Sequence, residues 1–207
     1  MDEIQVTFRS GDLNLEGLIA NPGGGAPAAV VCHPHPMYGG SMFNNVVDAV
    51  LAAMWQAGYA TLRFNFRGVG GSDGEYDGGP GEVDDAVAAM AFLLAQPGVR
   101  KSGAVMAGYS FGAMVAVSAG YERAEIARIV AVALPLAMAD ARIPDGASKP
   151  VLLVSGDSDS YSPVAGLRAL KAKIGDSARL EIVAGTDHFF GGHEAELSRV
   201  IAAALAA

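Results

Sequence analysis

The chain has a single cysteine, Cys32, so no disulfide can form within it. Charge is also scarce. Only 17% of the 207 residues are charged, and 14 Lys and Arg against 22 Asp and Glu leave a net charge of -8. No basic stripe offsets phosphate charge, which argues against nucleic acid as a partner. No stretch reaches the ~18 consecutive apolar residues of a membrane span, so no membrane partner is expected. The opening residues, Met1-Asp2-Glu3-Ile4-Gln5, lack the basic start and apolar run of a signal peptide, and a cytoplasmic protein is expected. No internal repeat interrupts the chain, and no linker divides it.

What the chain does have is apolar residues, 51% of the total, and 27 glycines. That composition excludes a disordered chain and points to tight turns and close backbone approaches. The length suits one domain over residues 1–207. Ile4–Arg9 and Leu13–Ala20 alternate apolar and polar residues around Gly11-Asp12, which predicts an antiparallel hairpin. Short apolar runs of the kind found in strands buried on both faces follow at Ala28–Cys32, Ala60–Phe66, Ala104–Gly108, Ile129–Leu134 and Val151–Ser155, with a last strand at Leu180–Val183. Helices are expected between them at Asn44–Ala57, Glu82–Gln96, Phe111–Arg123, Val164–Ile174 and Glu194–Ala206. Glu82, Asp84 and Asp85 crowd one helix start, where carboxylates favour the helix dipole, and read as a solvated end. The alternation implies an α/β fold with a mostly parallel sheet covered by helices on both faces. The connection from Leu134 to Pro150 is too short for a cap domain.

Gly-x-Ser-x-Gly occurs twice, around Ser72 and around Ser110, where composition alone would produce about 0.2 matches. Flanking residues separate the two. Val105-Met106-Ala107 ends a strand before Ser110, and Ala113-Met114-Val115-Ala116-Val117 opens a buried helix after it. That is the strand–turn–helix context of a nucleophile elbow, in which small residues let strand and helix nearly touch. Ser72 is followed by Asp73, Gly74, Glu75, Asp77, Gly78, Gly79 and Pro80, which is loop chemistry.

A serine hydroxyl needs a base, and in this arrangement an acid and then a histidine follow along the chain. His188 lies in a loop after the last predicted strand, whereas His193 sits at a helix entrance and reads as a capping or surface residue. The acid belongs in Gly156-Asp157-Ser158-Asp159, with Asp159 preferred because it lies deeper in the loop and Asp157 assigned to ordering the turn. An oxyanion would be met by backbone N–H groups. Phe111, at the helix start, supplies one. The second comes from His33-Pro34-His35-Pro36-Met37-Tyr38, where prolines cannot donate and His35, Met37 and Tyr38 remain, His35 being favoured. The side chains of His33 and His35 are expected to orient this loop.

With these residues in view, the chain resembles the α/β-hydrolase superfamily, and within it the compact bacterial members without a cap. The likeness is carried by the His33-Pro34-His35-Pro36 loop with Gly39-Gly40, by Phe66-Arg67-Gly68-Val69-Gly70-Gly71-Ser72, by the Gly108–Gly112 elbow, by Gly156–Asp159 and by Asp187-His188-Phe189-Phe190. The resemblance implies that Asp159 is the acid, that the residue after His33-Pro34 donates to the oxyanion, and that Ser72 is structural. Pro34 departs from the glycine often found there.

The resulting expectation is a serine hydrolase needing no cofactor and no metal, with Ser110, Asp159 and His188 as catalytic residues and a small acyl substrate, foremost a short-chain carboxylic ester. Thioesters, lactones and peptide-like amides share the machinery. Met37, Tyr38, Tyr109, Phe189 and Phe190, with Phe111, are candidate pocket-lining residues. Two readings from other classes compete. His33, His35, Asp157, Asp159 and His188 could form a metal site, or the fold could bind without chemistry. The Ala-rich last helix leaves a homo-oligomer open.

Overall fold

The computed structural model describes residues 1–136, 143 and 148–206. Among these residues eight strands form one sheet: β1 (Ile4–Ser10), β2 (Leu13–Ala20), β3 (Ala26–Cys32), β4 (Ala60–Phe64), β5 (Val99–Tyr109), β6 (Ile126–Val132), β7 (Val151–Gly156) and β8 (Ala178–Val183). Their spatial order is β1-β2-β4-β3-β5-β6-β7-β8. The hairpin pairs Ile4 with Ile19, and β2 runs antiparallel to β4. From β4 onward every pairing is parallel.

Among the described residues five α-helices cover the sheet: α1 (Asn45–Gln56), α2 (Pro80–Leu94), α3 (Phe111–Glu122), α4 (Val164–Ile174) and α5 (Glu194–Ala206). The period of two along β3 divides the core. Ala28, Val30 and Cys32 pack with Phe64, Met90 and Leu93 on the α2 side, while Ala29 and Val31 pack with Val50, Met54, Leu197 and Ile201 beneath α1 and α5. Both faces are apolar, which is why these strands read as unbroken hydrophobic runs. Among the described residues no helix is long and apolar enough to cross a membrane. Most of the connection that the sequence reading treats as too short for a cap, residues 137–147 apart from Ile143, lies outside the described residues.

Several boundaries differ from the sequence-based ones. β5 begins at Val99 rather than Ala104, because Arg100, Lys101 and Ser102 are exposed and break the apolar pattern. β4 stops at Phe64: Asn65 N–H still reaches Glu16 O opposite it on β2, but the Phe66 N–H leaves the ladder for His33 Nε2. β6 stops at Val132, because Ala133 turns out at φ 49°.

The acidic start of α2 is also not the solvated end the sequence suggested. Asp84 is exposed, but Glu82 and Asp85 are fully buried. Asp85 accepts four hydrogen bonds, from Arg67 N, Nε and Nη2 and from Ser10 Oγ. Glu82 accepts the N–H groups of Asp77 and Gly79. Each carboxylate is satisfied, Glu82 by the turn just before it and Asp85 by donors distant in sequence, and so tolerates burial.

The parallel strands end along one edge. Cys32 lies opposite Gly108, Tyr109 opposite Val132, Val132 opposite Val154 and Gly156 opposite Val183. From β3 the chain goes to β4 on one side, then crosses from β4 past β3 to β5 and continues to β6, β7 and β8 on the other. The chain thus reverses direction between β3 and β5, and the crevice beyond the strand ends at such a point is where open α/β sheets bind ligands.

Candidate active site

Ser110 occupies that crevice between the end of β5 and the start of α3. Its backbone sits at φ 54°, ψ -120°, a strained conformation for a residue with a side chain. It is held from both sides: Ser110 N donates to Val132 O at 2.9 Å, and Ser110 O accepts Ala113 N–H at 2.9 Å. The flanking glycines are obligatory for a steric reason. A Cβ on Gly108 would collide with the Gly112 carbonyl oxygen, and one on Gly112 with the carbonyl oxygen of Cys32.

His188, in the loop after β8, places Nε2 3.0 Å from Ser110 Oγ. Its Nδ1 lies 2.8 Å from Asp159 Oδ2. The other carboxylate oxygen of Asp159 accepts the N–H groups of Tyr161 and Ser162 at 2.8 and 2.9 Å. Burial pulls the Asp159 carboxyl toward neutrality. The hydrogen bond from His188, the His188 charge and the two backbone donors outweigh it, and its pKa lies below the usual 3.8. An ionised Asp159 accepts a proton-bearing Nδ1, which leaves Nε2 free to accept from the serine hydroxyl.

Asp157 does not contact His188. It is exposed, and its carboxylate accepts Gly185 N–H at 3.0 Å and Ser158 Oγ–H at 3.0 Å. Asp157 N donates to Val183 O and Ser158 N to Thr186 O, so the loops after β7 and β8 are zipped together. The Tyr109 hydroxyl donates to His188 O at 3.1 Å and ties the same loop to the elbow. Burial, with the Asp159 and Asp187 charges, raises the Tyr109 pKa and keeps that proton in place.

His33 and His35 have separate duties. His33 is fully buried, with Nδ1 2.6 Å from Pro34 O and Nε2 accepting Phe66 N–H at 3.1 Å. The His35 ring accepts Met37 N–H at Nδ1 and faces the Tyr76 hydroxyl at 3.2 Å through Nε2. Among the described residues neither the His35 N–H nor the Phe111 N–H has a protein acceptor. Among those residues no three His, Cys, Asp or Glu side chains converge as metal ligands. Both nitrogens of His33 are already engaged. Ser72 is also structural, its hydroxyl donating to Asn65 O and accepting Glu16 N–H.

Ser110 and His188 open into a cleft of about 490 Å³. Tyr38, Tyr109, Phe111 and Phe189, all sequence candidates, line it, as do Tyr76 and Tyr161. Sequence reasoning missed the last two, which sit in polar, Gly- and Ser-rich loops without periodicity. Met37 and Phe190 do not line it. Met37 faces solvent, 69% exposed, and Phe190 turns at φ 55° into the core beneath α5. A separate open groove of about 860 Å³ between α1 and α5 shares no residue with this cleft.

Known proteins resemble this chain along most of its length. The model of the X-Pro dipeptidyl-peptidase (S15) family matches residues 11–175. An uncharacterized protein of Rickettsia prowazekii (strain Madrid E) is 34% identical over 206 residues, 95% of this chain and 86% of its own length. An alpha-beta serine hydrolase homologue from Coxiella burnetii superposes with a TM-score of 0.86 at 32% identity, covering 99% of this chain and 98% of its own. A serine hydrolase without a lid from Xanthomonas campestris superposes with a TM-score of 0.85 at 28% identity, covering 97% and 92%.

Proposed function

The chain belongs to the α/β-hydrolase superfamily, in the family of the X-Pro dipeptidyl-peptidase (S15) model, and on that premise we propose that residues 1–207 act as one serine-hydrolase domain cleaving small carboxylic esters. The observation that carries this reading is the continuous line from Asp159 Oδ2 through His188 to Ser110 Oγ, with links of 2.8 and 3.0 Å, opening into the cleft.

In the proposed reaction His188 Nε2 takes the Ser110 proton as Oγ attacks the ester carbonyl carbon. The Phe111 and His35 N–H groups receive the oxyanion, aided by the positive end of α3. Collapse expels the alcohol, which takes the proton from His188, and leaves an acyl group on Ser110. Water then repeats the sequence and releases the acid. Asp159 holds the Nδ1–H tautomer and stabilises the imidazolium.

An ester fits this cleft better than a peptide. Its described lining contains no Asp, Glu, Lys or Arg, so nothing there pairs with the ammonium that a peptide's N-terminus would present. Ser110→Ala should lower turnover of p-nitrophenyl butyrate by about 10⁴-fold or more and abolish labelling by a fluorophosphonate, with the far-UV circular dichroism unchanged. Retention of a tenth of the activity would overturn the assignment.

A further inference from the structure

A short aliphatic ester would leave much of this cleft unused. One wall is a cluster of rings centred on His35, with centroids 4.8 Å from Tyr38, 4.9 Å from Tyr76 and 4.9 Å from Phe111. A second group of rings lining the same cleft is Tyr161 and Phe189, packed on His188 at 4.7 and 5.5 Å. Three of these rings are held open to solvent: Tyr38 is 81%, Phe189 60% and Tyr161 47% exposed. Exposed rings grouped around a reactive hydroxyl are the usual mark of a ligand surface.

The chemistry of the site assigns directions within the cleft. The departing alcohol oxygen must face His188 Nε2 to collect its proton, and the oxyanion must face the Phe111 N–H. The acyl substituent takes the remaining direction, into the ring-lined cleft, one wall of which is the His35–Phe111 cluster. That wall carries one prepared polar group. Met37 N–H donates to His35 Nδ1, so the neutral ring bears its proton on Nε2 and donates it to Tyr76 Oη, 3.2 Å away. The Tyr76 hydroxyl proton is thus left over, and among the described residues no protein acceptor takes it. Burial lowers the His35 pKa despite the nearby Glu82 charge, which keeps the ring neutral and this arrangement intact.

We propose that the preferred substrate carries a planar aromatic acyl group with a hydrogen-bond acceptor on its ring, lodged among these rings, and that the Tyr76 hydroxyl, oriented by His35, donates to that acceptor. The proposal rests on the serine-hydrolase reading and names its substrate class. The uncharged lining favours a neutral ring oxygen over a carboxylate.

The test is a series of p-nitrophenyl esters with a common leaving group and varied acyl parts: acetyl, cyclohexanecarbonyl, benzoyl, and 3- and 4-methoxybenzoyl. Each kcat/KM is divided by the ester's own hydroxide-catalysed rate. Benzoyl should exceed cyclohexanecarbonyl about fivefold, because stacking needs a planar π-face. One methoxybenzoyl ester should exceed benzoyl by about another fivefold through the Tyr76 hydrogen bond. In Tyr76→Phe the methoxybenzoyl-to-benzoyl ratio should fall to about one while the ring contact persists. Acetyl turnover and Ser110 labelling without any aryl preference in the wild-type protein would overturn this proposal and leave the serine-hydrolase reading standing. Loss of acetyl turnover and labelling together would overturn both.

Discussion

Lowering the pH from 7.5 to 5 should weaken the fold through His33 before the carboxylates begin to protonate. The ring is sealed in the core, and both nitrogens are committed to the backbone, Nδ1 to Pro34 O and Nε2 to Phe66 N–H. Burial lowers its pKa from 6.5 to about 4, against the opposing effect of the Pro34 hydrogen bond. The unfolded chain binds this proton near pH 6.5, whereas the native protein resists it until about pH 4. Across that window the unfolded state holds more protons, so stability falls as the pH falls. At about 1.36 kcal/mol per pH unit the full window is worth about 3 kcal/mol, of which about 2 kcal/mol is lost by pH 5. Urea unfolding of the wild type and of His33→Gln, at pH 7.5 and at pH 5, measures this. The glutamine amide can accept from Phe66 and donate to Pro34 but does not titrate. His35, whose pKa is also lowered by burial, contributes with the same sign to both proteins and cancels in the comparison. The wild type should lose about 2 kcal/mol more than the variant on acidification. A difference below about 0.5 kcal/mol would show that His33 is not held neutral by its surroundings.

Two further substitutions check other parts of the structure. Asp159→Asn should lower kcat on p-nitrophenyl butyrate by about 10³- to 10⁴-fold by removing the charge and tautomer control at His188, whereas Asp157→Asn, which keeps an oxygen for the Gly185 N–H, should change it less than about threefold. Equal losses in the two variants would contradict the geometry. Asp85→Asn should cost about 3 kcal/mol, because Arg67 loses its buried counter-charge, and should lower Tm by about 6–12 °C. A fall under about 2 °C would restore the view of this cluster as a solvated helix start.

The parallel strands were legible because burial on both faces turns them into unbroken apolar runs, and α4 and α5 because their ends carry ordinary helix signals. The first half of β5 was hidden by Arg100, Lys101 and Ser102, which face solvent while the backbone still pairs. Ser110, Asp159 and His188 stood out through chain order and local context, neither of which needs distances. Asp85 was misread because the partners that justify its burial, Arg67 and Ser10, lie 18 and 75 residues away. Tyr76 was invisible for the same reason. Nothing local to its glycine-rich loop points to a histidine 41 residues earlier. Phe190 was misplaced because a single positive φ reverses the direction of a ring whose neighbour, Phe189, stays at the rim.

The zipped loops after β7 and β8 bear on how this architecture tolerates change. Asp159 and His188 belong to loops joined to each other by backbone bonds, and the Tyr109 hydroxyl fastens the second of these to the strand that ends at Ser110. The three groups are therefore registered to one another at the sheet edge by bonds among the loop ends themselves. A displacement of α4 or α5 would have to break these bonds before it moved the three groups apart. The tolerance of the reacting geometry is set by a few bonds spanning three loop ends.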